Sequence, residues 1–198
     1  MNSLKSKESR APARSRSWRY GAPSLLLGLM LLIDGAAHRC AGQARTQREY
    51  ELKAGVLYHI IEYVDWPEAA RSNQPPVIQI GLLGQIPFAE ALEVLDGKAV
   101  QGRRLVVKRL SNSQEAMDCQ VLFIGASEKP RYAEIVAELK NRPILTVSEV
   151  EGFAEHGGMV NLMSGPNRII MEINREVAGQ ARLTFSSQLL KLAKVFPH

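Results

Sequence analysis

Apolar residues recur at two distinct periods along this 198-residue chain, and the change from one to the other lays out its elements. From Glu49 the spacing is helical: Leu52, Val56, Ile60 and Val64 fall four apart, with Leu57 and Ile61 beside them. Glu51, Lys53, His59 and Glu62 lie outside that face. The helix is expected to stop near Asp65-Trp66-Pro67, because the residue before a proline is pushed out of the α region. Gly55 inside it costs about 1 kcal/mol relative to Ala, which points to close packing against a neighbouring element.

A loop over 68–76 ends in Pro75-Pro76, and then the period changes. Val77 to Gly84 is almost unbroken in its apolar character, as in a strand buried on both faces. Ile86 to Leu95 reads as a helix with Phe88, Leu92 and Leu95 on one side. The turn Asp96-Gly97-Lys98 and a short extended piece lead to a second, less buried strand, Leu105 to Leu110. Gln120 to Gly125 and Ile144 to Val147 supply a third and a fourth. Between these two, Pro130 opens a helix that reaches about Lys140, with Ile135, Val136 and Leu139 inward. Strands alternating with helices of this length form a parallel sheet covered on both faces, with right-handed crossovers.

The stretch Gly157–Ala193 has a different grammar. An apolar run (Met159, Val160, Leu162, Met163) meets the turn Ser164-Gly165-Pro166-Asn167, and Arg168 to Ile173 follows, a β-hairpin by its spacing. Asn174 is placed to cap a helix starting at Arg175. A last helix is expected to carry Leu189, Leu190, Leu192, Ala193 and Phe196 over one face of the sheet. The fold class is therefore α/β: a single domain over 48–198, a mostly parallel sheet with helices on both faces, and a C-terminal hairpin plus helix.

Charge changes the picture in one respect. The formal net charge is +5, but residues 1–23 hold six Lys or Arg against one acid. The remainder carries 19 basic and 19 acidic residues, a net of zero. Such a domain has no excess from which to build the basic stripe that nucleic acid requires, so nucleic acid is not expected as a partner. The basic segment precedes the apolar run Ser24 to Ile33, and Asp34 and the small residues Gly35-Ala36-Ala37 follow. This is the order of a secretory signal. The run is about half the roughly 20 residues a spanning helix needs. Residues 1–44 are thus expected to be a signal peptide and cleavage region, cut after Ala37 or Ala44, and the domain is expected in the periplasm. Cys40 as a lipid-bearing first residue is disfavoured by His38 and Arg39 before it. With Cys40 removed, Cys119 stands alone, either as a buried small hydrophobe at the start of a strand or as a redox-active or intermolecular thiol.

Catalytic patterns fall short. Gly81-Leu82-Leu83-Gly84 lacks the third glycine of a dinucleotide loop, and Pro87 and Phe88 crowd the helix start. Gly125-Ala126-Ser127-Glu128-Lys129 has Lys where a nucleophile elbow needs Gly, which makes Ser127 a helix-start cap. His59, His156 and His198 are scattered, so neither a metal nor a cofactor is expected. The contact candidates are Trp66 (core anchor or exposed contact), Phe153 in the loop ahead of the double glycine, and the stripe Arg168, Glu172 and Asn174. Those three share one face of a strand, opposite Ile169, Met171 and Ile173. The stripe reads as the wet side of the sheet or as a docking surface.

Taken together and in order, these segments resemble the YfiR/HmsC-like periplasmic family. Lys53-Ala54-Gly55-Val56-Leu57-Tyr58 running into Val64-Asp65-Trp66-Pro67 matches its opening. The strand Ile78 to Gly84 with Pro87-Phe88 after it, Cys119 to Ile124, Ile144 to Val147, Gly157-Gly158-Met159-Val160, Glu172-Ile173-Asn174 and Ser186 to Ala193 follow. The resemblance implies a regulator rather than an enzyme: a protein that restrains a membrane-bound diguanylate cyclase by binding its periplasmic domain. An outer-membrane lipoprotein relieves that restraint, and the output is cyclic di-GMP and biofilm behaviour. A homodimer is left open. The alternative is a periplasmic small-molecule receptor with its pocket at the carboxyl edge of the sheet, near Gly84 and Ser127. Some relatives hold this domain with disulfides, whereas Cys119 has no evident partner.

Overall fold

The computed structural model describes residues 46–67, 77–166 and 168–196. The expected export segment 1–44, the loop 68–76, Asn167 of the hairpin turn and His198 lie outside the described residues.

The first helix, α1, spans 46–62. Its buried stripe is Lys53, Ala54, Leu57, Ile60 and Ile61, so the face is turned by one residue from the expected one. Leu57 and Ile61, placed at the flank by the spacing, are its centre, and Leu52 is 49 % exposed. Gly55 faces outward, and an added Cβ there would meet nothing within 4 Å, so close packing does not explain it. The helix ends before Asp65 because another element takes its last carbonyls. The Gln101 side-chain amide donates to the carbonyls of Glu62 (2.9 Å) and Val64 (2.8 Å). Val64–Asp65 then forms β1, which pairs antiparallel with β9 (Thr184–Phe185).

The main sheet has eight strands in the order β10-β8-β7-β6-β5-β2-β4-β3. Five of them run parallel: β4 (Arg103–Leu110), β2 (Val77–Leu83), β5 (Val121–Ile124), β6 (Leu145–Ser148) and β7 (Val160–Ser164). By chain position their order is 2-1-3-4-5, a doubly wound sheet whose switch point lies between β2 and β5. The hairpin is present: β8 (Ile169–Asn174) runs antiparallel to β7. β3 (Ala99–Val100) closes the far edge against β4. The fold is α/β with a mixed, mostly parallel sheet, and both faces are covered. β5 shows how. Val121 and Phe123 pack into the core under α1, with Ile60 and Leu92 of α2 (Ala89–Glu93). Leu122 and Ile124 point the other way, to Ala116, Ile135 of α3 (Tyr132–Glu138) and Phe153. Each such fully buried side chain contributes roughly 1.5–3 kcal/mol.

The C-terminus departs from expectation. Asn174 does cap α4 (Arg175–Gln180), its Oδ1 accepting from Val177 N at 3.0 Å. The final helix, however, is the single turn α5 (Ser187–Leu190), and Lys194–Phe196 is a strand, β10, parallel to β8. Leu192, expected on the apolar face of a helix, is exposed. The open edge of β8 offers hydrogen bonds that a helix at 191–196 would leave unmade.

Candidate functional site

In a doubly wound sheet the natural ligand crevice lies beyond the carboxyl ends of the strands at the switch point. Here backbone contact fills it. Gln85 N donates to Ser127 Oγ (2.8 Å), and a Cβ added at Gly84 would sit 2.5 Å from that oxygen. A Cβ added at Gly125 would overlap the Gln85 carbonyl. The expected receptor pocket near Gly84 and Ser127 therefore has no room, and Ser127 ties two loops together rather than capping its own turn.

Further along the same edge, α1 crosses the sheet over a buried charge cluster. Lys53 is 4 % exposed, and its Nζ lies 2.9 Å from Glu149 Oε2 and 3.3 Å from Glu49 Oε1. The ammonium also sits 5.0 Å above the Phe88 ring, which adds a cation–π contribution. Ser164 Oγ donates to Glu49. One helix is thereby fastened to the segment after β2, to the first residue beyond β6 and to the last residue of β7.

Beside this cluster, between the first turns of α1 and the β7–β8 turn, lies a cleft of 380 Å³. Leu52, Pro166 and Ile169 form its apolar lining, Arg48 and Arg168 stand on its rim, and Glu49, the one carboxylate lining it, is taken up by Lys53 and Ser164. Among the described residues no carboxylate pairs with either guanidinium. An exposed leucine between two exposed arginines suits an acidic partner segment with an apolar anchor, because Arg can bind carboxylates in bidentate fashion.

The contact candidates separate clearly. Arg168 is exposed and lines the cleft. Trp66 is 3 % exposed and belongs to the core under α1, its Nε1 without a partner among the described residues. Phe153 is fully buried against Tyr132, ring centroids 5.5 Å apart. Neither aromatic presents a surface: Trp66 takes the core-anchor alternative of its two readings, and Phe153 is corrected from contact to core. The polar stripe is not a wet face either. Glu172 is 4 % exposed and pairs with Lys194 Nζ at 3.0 Å, opposite it across β8 and β10. Asn174 caps α4 with its oxygen and donates through Nδ2 to Ala154 O at 2.8 Å. Arg48, Leu52 and Lys53 were missed. The signals were available in the i, i+4 pairs Glu49–Lys53 and Arg48–Leu52, which place each pair on one helix flank.

Cys119 lies buried just before β5, its sulfur within 3.5 Å of Gln79 Nε2. A Cβ at Gly81 would come within 2.8 Å of that sulfur, so glycine in mid-strand is what makes room for it. Burial pushes the thiol up from its ordinary value, and the Gln79 hydrogen bond opposes this only in part. A raised thiol keeps its proton at neutral pH. Its contribution to stability is full there and is lost as pH rises past the unfolded thiol value toward the folded one. Burial and a raised thiol contradict the exposed, low-pKa setting of a redox-active cysteine. Alkylation of Cys119 in the folded protein, followed by peptide mass spectrometry, is expected to run at least about tenfold slower than in the urea-unfolded chain. Equal rates would return Cys119 to the surface.

Among the described residues no three His, Cys, Asp or Glu side chains converge as metal ligands, and no helix is long and apolar enough to cross a membrane.

A charge cluster around the buried Lys53, a filled switch-point crevice and an arginine-rimmed cleft thus lie along the carboxyl edge of the α/β sheet. The family model described as YfiR/HmsC-like matches residues 50–194, and the chain belongs to that family. Among solved structures, a conserved domain protein from Vibrio cholerae is similar at 14% identity and a TM-score of 0.48, over 65% of this chain and 57% of that one. A Streptococcus pneumoniae ABC domain solved in complex with L-Trp is similar at 12% identity and a TM-score of 0.45, over 65% and 58%. The chain thus spans under three fifths of the length of each.

Proposed function

We propose that this protein is a periplasmic regulator that restrains an inner-membrane diguanylate cyclase by direct contact with the cyclase's periplasmic domain. Cyclic di-GMP output and biofilm formation are thereby controlled. The observation that carries the reading is family membership over 50–194. The residues add a place for the contact, the cleft of Arg48, Leu52 and Arg168, with an acidic, apolar-tipped segment of the sensor domain as its occupant. An outer-membrane lipoprotein competing for the same surface would lift the restraint.

Deletion of the gene is expected to raise cellular cyclic di-GMP, and the charge-reversed double variant Arg48→Glu/Arg168→Glu is expected to behave like the deletion. Both arginines are exposed, so thermal stability should hold while binding to the purified sensor domain weakens at least about tenfold. An unchanged nucleotide level on deletion would sink the regulatory reading. Full restraint by the double variant would move the contact elsewhere.

A further inference from the structure

At the other end of β7, a second concavity lies between the end of α3, the loop before β7 and α4. It measures 310 Å³, within the range of about 300–1,000 Å³ that small-molecule sites occupy. Its floor is mostly apolar (Val136, Leu139, Met159 and Val177), with the buried Thr146 hydroxyl among them accepting from Met159 N. Its rim is polar: Lys140, Asn141, His156 and Gln180. We propose that this cavity is a binding site for a small organic monoanion, a carboxylate carried on a short apolar body.

Charge balance points to the anion. The lining contains Lys140 and no carboxylate, and among the described residues no Asp or Glu pairs with that ammonium. Lys140 stands exposed at the rim, so a ligand lying on the apolar floor with one negative charge at its outer end meets the ammonium while covering carbon. A single lysine matches a carboxylate better than a polyphosphate, which needs several cations or a glycine-rich cradle. The rim can also orient the ligand. His156 Nδ1 lies 2.7 Å from the Gly152 carbonyl; a carbonyl only accepts, so Nδ1 carries the proton, and Nε2 of the neutral ring is an acceptor for a donor on the ligand's body rather than for its carboxylate. Asn141 stands in the left-handed region (φ 64°), and among the described residues its side-chain amide has no hydrogen-bond partner. Gly157 lines the cavity at φ +98°, a left-handed conformation that suits glycine. The volume admits about ten water-sized groups, enough for a ring or short alkyl chain beneath the carboxylate.

The test titrates 3-phenylpropionate into the ¹⁵N-labelled protein, with the neutral 3-phenylpropanamide as its matched control. Saturable shifts are expected at Asn141, Gly157 and Gln180, with the amide binding at least about tenfold more weakly, the factor one lost charged hydrogen bond implies. Lys140→Gln should remove that preference for the acid while leaving the amide's affinity unchanged. Ala137→Phe, at an exposed lining position, should abolish binding of both with thermal stability retained. No saturable shift up to about 10 mM, where binding is weaker than any useful affinity, would overturn the site. Equal binding of acid and amide, or an unaffected Lys140→Gln variant, would overturn the anion. The readout involves no cyclase, so its outcome is separate from that of the regulatory reading.

Discussion

Phe153→Ala is expected to lower the stability of the domain by about 4 kcal/mol, the middle of the range for truncating a buried phenylalanine. The ring is fully buried in the core that also holds Leu122, Ile124 and Ile135, and Tyr132 packs on it at 5.5 Å. Removing it leaves a void that rigid strand β5 cannot collapse into. In urea denaturation the midpoint should fall with an unchanged slope, and the melting temperature should drop by about 10 °C. A second residue makes the explanation checkable. A Cβ added at Gly158 would overlap the Phe153 ring, so Gly158→Ala alone should also destabilise, by about 2 kcal/mol as overpacking does. In the Phe153→Ala background the same methyl enters empty space. The double variant should therefore be more stable than the two single losses predict, a coupling of 1 kcal/mol or more by the usual cycle. Strict additivity would mean the two residues do not share one space. A Phe153→Ala protein of normal stability that no longer bound its partner would restore the contact reading.

Where a segment's partners are local or its pattern has one solution, the fold could be read from the residues. The continuous apolar run in β5 feeds two cores because its side chains alternate faces, Val121 and Phe123 against Leu122 and Ile124. The Asn174 cap was equally legible, since capping involves residues three apart. What failed were assignments that depend on a distant partner. Leu189 to Phe196 carries helical spacing, yet Lys194–Phe196 joins the sheet because β8 presents an open edge. That edge is invisible until the hairpin is placed. The Glu172 error has the same origin: alternation puts it opposite Ile173, as a wet-face residue would be, but the β8–β10 register sets Lys194 against it and covers the carboxylate beneath a half-exposed ammonium. In α1 the stripe was displaced by one residue because Lys53 was counted as polar and hence outside. A lysine whose charge is matched occupies a buried position while Leu52 faces solvent. Of the residues lining the cleft, Arg168 was singled out from the alternation leading into β8, and Arg48 and Leu52 join it only once α1 is laid beside the hairpin turn.

The same lysine carries the other large expected effect. Lys53→Met preserves most of the side-chain volume but leaves Glu149 and Glu49 facing each other with no cation between them. Breaking a buried pair by removing one member costs about 3–5 kcal/mol, and the lower end applies here because Glu149 keeps 15% of its side-chain surface. About 3 kcal/mol should therefore be lost, read as a lower urea midpoint at neutral pH. The double variant Lys53→Met/Glu149→Met should recover to within about 1 kcal/mol of the parent, since a buried ion pair and an apolar pair of similar volume are often equivalent. Raising salt should change the parent little, because buried charges are weakly screened. The site gives this measurement a second consequence. α1 supplies Arg48 and Leu52 to the cleft, and Lys53 is what fastens that part of the helix to β6 and, through Glu49, to β7. In the single variant, amide hydrogen exchange over residues 46–54 should accelerate more than exchange in β5, and sensor-domain binding should weaken alongside it. Both should return in the double variant. Restored stability with binding still lost would mean that the cleft needs the charge of Lys53 itself rather than the anchoring it provides.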